Sequence, residues 1–408
     1  MDFLLQGARL VDATRDLARG DIAVSGSVIA AAGESEPRAE HGRARDAGVP
    51  IDATGMIVTP GFIEVHTHGG GGYNLHTTDP DELRAYASWI PRTGVTSFLI
   101  GVVGVPHGLP AAQLQCATQV SEEQAEGAEP LGIFFEGPYL SPARRGAHLP
   151  SWLRRPSLSE VERLLDLTRG RLRLITIAPE LSGAAPVIQR VVEAGVIASI
   201  GHTDATYEQT RHAIAQGVTH ATHCCNAMRP LHHREPGPLG AIAEAHQVTG
   251  EVILDGMHVH PAVVRMLATL LGSRRLVGIT DALAGAGLSS ATFEFAGQRA
   301  HVEAGVARLE DGTITGSVLT MDQALRNFLE ITGVSLSDAV AALAANPARV
   351  AGAADRKGAL SPGYDADLLI FDESLTLCAT LCKGRLAYAS PEWVAKLSVA
   401  QEARPAAG

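Results

Sequence analysis

The sequence predicts an α/β fold: a closed barrel of eight parallel strands, each followed by a helix, with a small β-sandwich domain beside it. Three observations carry this prediction. Eight short apolar runs alternate with helix-like stretches between residues 62 and 280, the pattern of a parallel sheet with crossover helices. Side chains able to bind metal stand just past the C-terminal ends of five of those runs, where a parallel barrel carries its reactive groups. Strand-like segments at both ends of the chain, outside the alternating region, are expected to share the second domain.

Residues 3–6, 8–11, 21–24 and 28–31 read as short strands separated by Gly and Asp turn signals. Residues 34–49 are polar and rich in Ala and Arg, and read as a surface loop. Residues 51–59 lead through Pro60-Gly61 into the first barrel strand. The eight barrel runs are 62–65, 95–100, 132–135, 172–177, 196–201, 218–222, 252–254 and 276–280. Helices are expected between them, among others at 80–90, 159–167, 185–194, 207–216 and 261–271. Beyond the eighth run, 294–306 reads as a hairpin insertion and 320–331 and 335–345 as helices, with Asn346-Pro347 marking the end of the second. Residues 366–371 and 378–388 return to a strand pattern about the Pro362-Gly363 turn. The expected units are 1–58 with 356–408 for the β domain and 59–355 for the barrel. Eight runs favour a closed (β/α)8, TIM-like barrel over the alternative, an open doubly wound sheet.

The bulk composition narrows the function. Apolar residues make up 46% and charged residues 19% of the 408, an ordinary globular balance. A formal net charge of −11 disfavours nucleic acid or an anionic membrane as partner, so recognition of an anionic substrate needs local positive potential. No apolar stretch reaches the roughly 20 residues that span a bilayer, and Met1–Leu10 lacks the basic-then-apolar pattern of a secretory signal. Cys116, Cys224, Cys225, Cys378 and Cys382 form no paired framework. The cytoplasm is the expected compartment. His76, His107, His212 and His246 are expected on the surface.

The metal-binding residues define the chemistry. His66 and His68 are two apart on a strand end, so both project from one face. An H-x-H pair arises easily by chance, but Gly69–Gly72 follows this one, and glycines let backbone pass close to a ligand. Glu136 ends an apolar strand, where an unpaired carboxylate costs several kcal/mol. His202 and His223 follow the fifth and sixth runs, and Asp281 follows the eighth, so barrel closure sets it beside His66 and His68. A carbamylated lysine cannot bridge two ions here, because Lys357 is the first lysine of the chain. Glu136 is therefore the strand-end carboxylate left to bridge. The expected centre is binuclear, with His66, His68, Glu136 and Asp281 on one ion and Glu136, His202 and His223 on the other. A single tightly held ion with a weak second is the variant of this reading, and Zn, Fe, Mn or Co all suit the donors.

Several stretches resemble the N-acetylglucosamine-6-phosphate deacetylases of the amidohydrolase superfamily. They are PGFIEVHTHGGGG (60–72), EGPYLSPARRGAH (136–148), GHTDAT (201–206), THCCNAMRPLHHREPG (222–237), DGMHVH (255–260), TDALA (280–284) and GSVLTMDQALRN (316–327). The resemblance spans nearly the whole chain in order, and the second and fourth stretches are specific to that family. It implies a (β/α)8 barrel with a terminal β-sandwich, a homodimer, and Asp281 as acid and base. It implies substrate contacts from Ala147, His148, Asn226, Ala227, Arg234 and His258, and weaker ones from the loop Ile314–Gly316. Arg234 is expected to reach the phosphate of substrate bound in the neighbouring subunit. The chain departs from many members in keeping the first H-x-H, and from the usual bulky pair in carrying Cys224-Cys225.

The expected reaction is hydrolysis of an acetamide. A divalent ion lowers the pKa of a coordinated water to about 7, Asp281 takes its proton and returns it to the leaving amine, and His148 helps polarise the carbonyl. The expected substrate is N-acetylglucosamine 6-phosphate. Alternatives are another acylated amine, such as N-acetylgalactosamine 6-phosphate or an N-acyl amino acid, and a metal-containing binding protein without catalysis.

Overall fold

The computed structural model describes residues 2–35, 48–303 and 305–402. Most of the loop expected at 34–49 lies outside the described residues.

Eight parallel strands form the barrel wall: Phe62–Glu64, Val95–Val103, Glu129–Glu136, Leu172–Ile177, Ile197–Ile200, His220–Ala221, Thr249–Ile253 and Leu276–Ile279. Each pairs with its successor in sequence, as a right-handed βαβ series requires. They are mostly apolar because both faces are covered; all nine residues of Val95–Val103 are buried. Inward-facing Ile63, Val65, Leu99, Phe134, Ile253 and Ile279 fill the interior, and the helices cover the outer face.

The first and eighth strands close the ring just beyond their ends, at the residues of greatest chemical interest. The Asp281 amide donates to His66 O (3.0 Å) and the His68 amide to Ala282 O (2.8 Å). The buried Glu64 carboxylate accepts from the Thr280 amide (3.1 Å) and hydroxyl (2.7 Å) across the same seam. Gly101 lies beneath it: a Cβ there would stand 2.0 Å from Thr67 O, so only glycine lets the His66–His68 segment lie on the second strand.

The helices follow local signals. Tyr207–Ala215 starts in a capping box between Thr206 and Gln209, and Pro80–Trp89 opens with proline at its first position after an Asp79 cap. Two expectations are corrected. Asn346-Pro347 does not end a helix: helical structure runs from Leu336 to Val350, because a wide turn over Ala341–Ala345 shifts the bonding and Pro347 opens the next segment. The Asn346 amide instead donates to Ser273 O (2.8 Å) and Leu276 O (2.6 Å), fixing this segment at the barrel floor. The insertion is three strands, Thr292–Phe295, Gln298–Glu303 and Val306–Leu309, where the sequence pattern showed two.

Both termini build one mixed sheet. Its order runs Arg385–Ala389, Leu377–Cys382, Leu368–Phe371, Ile57–Pro60, Phe3–Asp12, Arg15–Ser25, Val28–Glu34, with Val49–Asp52 also pairing with Phe3–Asp12. Alternate residues such as Phe3, Leu5, Leu10, Ile22 and Leu381 enclose a core separate from the barrel's, closed by Trp393 of the helix Pro391–Glu402. Among the described residues, no helix is long and apolar enough to cross a membrane.

A buried ion cluster pins this domain to the barrel. The Lys357 ammonium contacts Asp367 (2.5 Å), Asp365 (2.9 Å) and Glu129 (2.9 Å), the last at the start of the third barrel strand. Burial pushes the Asp367 carboxyl up despite the pull of Lys357, while burial of Glu129 is outweighed by Arg356 and Lys357, which hold its carboxyl down at about 2. Lys357→Met would leave the buried Asp367 without its cation, while Glu129 and Asp365 keep Arg356, with an expected loss of about 3 kcal/mol in denaturant unfolding. Because the Glu129 pKa is depressed on folding, its contribution is complete above the ordinary 4.5 and disappears as pH falls toward about 2. A variant as stable as the parent at pH 7 would contradict the role given to the cluster.

Candidate active site

The strand ends bring five imidazoles and two carboxylates to one point. Glu136 stands at the centre. Its Oε1 lies 3.1 Å from His202 Nε2, 3.2 Å from His223 Nε2 and 3.6 Å from His66 Nε2. Its Oε2 lies 3.2 Å from His68 Nε2 and 3.4 Å from His148 Nε2. Asp281 Oδ1 lies 3.4 Å from His66 Nε2 and 3.6 Å from His68 Nε2. All seven groups are buried or nearly so.

Backbone geometry shows how strongly the fold imposes this arrangement. His202, His223 and Asp281 have φ of 45°, 26° and 49°, the left-handed region that residues with a Cβ avoid. Such strain persists where surrounding structure over-determines it, and it concentrates at functional sites. The Asp281 carbonyl accepts from the Ser317 amide (2.7 Å), which helps hold the turn.

The outer nitrogens of two of the histidines are tethered so that the inner ones converge. His66 Nδ1 bonds Glu251 Oε2 (2.8 Å), and His202 Nδ1 bonds Arg144 O (3.0 Å), which leaves each Nε2 facing the centre. Glu251 is fully buried and also accepts from the His223 amide (3.0 Å) and pairs with His220 Nε2 (2.9 Å). One carboxylate thus orients parts of both histidine pairs. Burial pushes the Glu251 carboxyl up, but His66 and His220 together hold it far below the carboxylate range.

The donor set fits a divalent cation. Donor atoms of His66, His68 and Asp281 lie within 4.8 Å of one another, as do those of His66, Glu136 and His223, and those of Glu136, His148 and His202. Meanwhile His66 Nε2, both ring nitrogens of His68 and His223 Nδ1 are buried with no hydrogen-bond partner. Buried polar atoms in that state are rare unless something further satisfies them. Imidazole with carboxylate is the donor mixture of zinc and its neighbours. Burial raises Glu136, yet His148, His202, His223 and His68 hold its carboxyl well below the ordinary range. Burial likewise raises Asp281, outweighed by His66 and His68. Both therefore remain anionic donors.

A cavity of about 280 Å³ opens onto this cluster. Ala147 and His148 reach it on the loop after the third strand, held by Arg145 Nη1 on His148 O (2.9 Å) and by Gln298 of the insertion on Ala147 O (2.7 Å). Burial keeps the His148 proton affinity low against the pull of Glu136. Asn226 and Ala227 line the cavity from the turn after His223, His258 from the loop after the seventh strand, and Ile314 and Gly316 from beyond the insertion. Phe295, on the insertion, lies 5.1 Å from the His68 ring and also faces the cavity.

Arg234 is not brought in. It is exposed, its guanidinium against His233 Nε2 (2.7 Å), and does not line the cavity of its own chain. His76 corrects another expectation: it is half-buried against Trp152, accepts from the Val103 amide (3.3 Å), and burial lowers its pKa to about 4. His107, His212 and His246 are exposed as expected. Cys224 is buried and Cys225 exposed. Glu251, Glu64 and His220 went unread in the sequence; the signal available was a charged or polar group inside an otherwise apolar barrel strand.

Comparison with known proteins agrees with this geometry. The model of the amidohydrolase family matches residues 57–397. The chain is 33% identical over 392 residues to N-acetylglucosamine-6-phosphate deacetylase of Bacillus subtilis (strain 168), covering 95% of this chain and 98% of that one. It is 35% identical to N-acetylgalactosamine-6-phosphate deacetylase of Escherichia coli O157:H7, covering 83% and 90%. It superposes with a TM-score of 0.86, at 37% identity and covering 95% and 100%, on a mutant N-acetyl-D-glucosamine-6-phosphate deacetylase from Mycobacterium smegmatis in complex with N-acetyl-D-glucosamine-6-phosphate. The chain belongs to the amidohydrolase family, in the branch of the N-acetylglucosamine-6-phosphate deacetylases.

Proposed function

We propose that this chain hydrolyses the acetamide of N-acetylglucosamine 6-phosphate, giving acetate and glucosamine 6-phosphate. The observation that carries the reading is the convergence of His66, His68, His202, His223, Glu136 and Asp281 at the floor of one cavity. His66, His68, Glu136 and Asp281 would hold one divalent ion, and Glu136, His202 and His223 a second; the presence of both histidine pairs favours two.

When bound, such an ion supplies Lewis acidity, lowering the pKa of a coordinated water to about 7 and drawing charge from a carbonyl oxygen. Asp281, kept anionic beside His66 and His68, accepts the proton of the attacking water and delivers it to the departing amine nitrogen. His148, a buried imidazole fixed by its loop, offers an N–H to the carbonyl oxygen as negative charge develops there. Glu136 holds the histidine rings about a common centre and keeps its charge while doing so. Ala147, Asn226, Ala227, Ile314 and Gly316 shape the sugar site. The phosphate would meet His258 and, across a homodimer, the exposed Arg234 of the second copy, whose planar fork suits phosphate oxygens. We assign the enzyme to the cytoplasm.

The similarity to the E. coli O157:H7 enzyme supports N-acetylgalactosamine 6-phosphate as the second reading. A panel of both sugar phosphates, their unphosphorylated forms and an N-acetyl amino acid, assayed for acetate, separates them. N-acetylglucosamine 6-phosphate is expected to give the highest kcat/KM by at least about tenfold, a difference of 1.4 kcal/mol. Preference for an N-acetyl amino acid would overturn the reading.

A further inference from the structure

We propose that Asp255 is a positioning residue that fixes the His258 imidazole as a charged donor on the cavity wall, ready for the anionic end of the substrate. The inference rests on the sugar-phosphate reading and adds the device by which this acidic chain attracts an anion.

The need for such a device comes from the cavity itself. It is lined by Glu136 and Asp281 and by no lysine or arginine. Its other histidines are committed: His68, His148, His202 and His223 all stand 3.1–3.4 Å from Glu136 oxygens. His258 is the exception. It stands on the partition between the catalytic cavity and an adjoining cavity of about 410 Å³, lining both. Its Nδ1 is bonded to Asp255 Oδ2 at 2.6 Å, and its Nε2 has no partner among the described residues.

Asp255 is built for this task. Its other oxygen accepts from the Met257 and His258 amides, each at 2.9 Å, so one carboxylate closes the turn and grips the ring that the turn carries. The base of the loop is anchored from outside, by the Asn327 amide on Leu254 O at 2.8 Å. The ring cannot rotate without breaking a charge-assisted bond.

The surroundings agree on the charge. Asp255 faces the ring from its own turn, and Asp281 acts on it from the loop after the eighth strand. The segments 305–307 and 316–320 and the helix Met321–Thr332 line the adjoining cavity with it through Ser317, Thr320, Gln323 and Asn327, none of which titrates. Across the cavity the imidazoles gather on Glu136. Burial alone would strip the proton from His258, but Asp255, aided by Asp281, outweighs it and raises its pKa.

The test is steady-state kinetics of the metal-loaded enzyme from pH 6 to 8.5, with phosphorylated and unphosphorylated N-acetylglucosamine. Asp255→Asn keeps an oxygen for the turn and removes the charge. For the phosphorylated sugar, its KM should come closest to the parent's at the acid end of the range and lie about tenfold above it by pH 8, as His258 loses the charge that Asp255 had held on it. Its kcat, and KM for the plain sugar, should change far less. His258→Gln should show the raised KM at every pH, and adding Asp255→Asn to it should do nothing more. Equal rises for both sugars, a pH-independent rise, or additive effects in the double variant would overturn the inference and leave the deacetylase reading intact. A parent enzyme indifferent to the phosphate would overturn both.

Discussion

Asp281→Asn is expected to lower kcat by a factor of about 10²–10⁴ while the protein keeps its metal, because asparagine retains an oxygen beside the other donors but cannot carry the proton. The backbone at 281 sits at φ 49°, a conformation asparagine tolerates better than other residues, so the barrel seam should survive. The bonds closing the seam come from backbone groups, the Asp281 amide on His66 O and the Ser317 amide on Asp281 O, which the variant retains. What disappears is a carboxylate held anionic by His66 and His68, beside the point where they converge. Metal analysis and kinetics on one preparation check this. A variant with near-normal turnover would remove Asp281 from the chemistry, whereas one that had lost its metal would make it chiefly a ligand.

Glu136→Gln is expected to be the most damaging change to metal binding, weakening it by at least about 100-fold. Replacing an outer partner of a metal ligand costs 10–100-fold, and Glu136 is itself the residue that four histidines face within 3.4 Å. The metal-free protein should also lose stability, because the histidines around Glu136 hold its carboxyl well below the ordinary range and glutamine gives up that charge-assisted pairing. The gain in stability on adding metal should shrink by about 2.7 kcal/mol for a 100-fold weaker site. Equal metal-induced stabilisation in both proteins would show that the bridge lies elsewhere.

The clustering of these side chains was legible because a barrel forces a simple relation between sequence and space. Reactive groups stand where apolar runs stop, and His66, His68, Glu136, His202, His223 and Asp281 all obey it. The groups behind them obey no such rule. Glu251 sits inside the strand Thr249–Ile253 and Glu64 inside Phe62–Glu64, where runs of apolar neighbours hide a single carboxylate. Their partners, His220 and Thr280, are 31 and 216 residues away, a separation no local pattern encodes. The Asn346-Pro347 stop failed for a related reason. Proline ends a regular helix by lacking a donor, but the widened turn before it leaves no bond for that donor to make. His76 looked like a surface residue because its cover, Trp152, comes from a distant loop. Arg234 is exposed on its own chain, and the phosphate role proposed for it belongs to a second copy.

The most direct measurement strips the enzyme with a chelator, adds back divalent ion in steps, and records bound metal per chain together with acetate released from N-acetylglucosamine 6-phosphate. Turnover should be absent from the stripped protein and rise with occupancy of the cluster around Glu136. Full acetate release from protein carrying no metal would contradict the account.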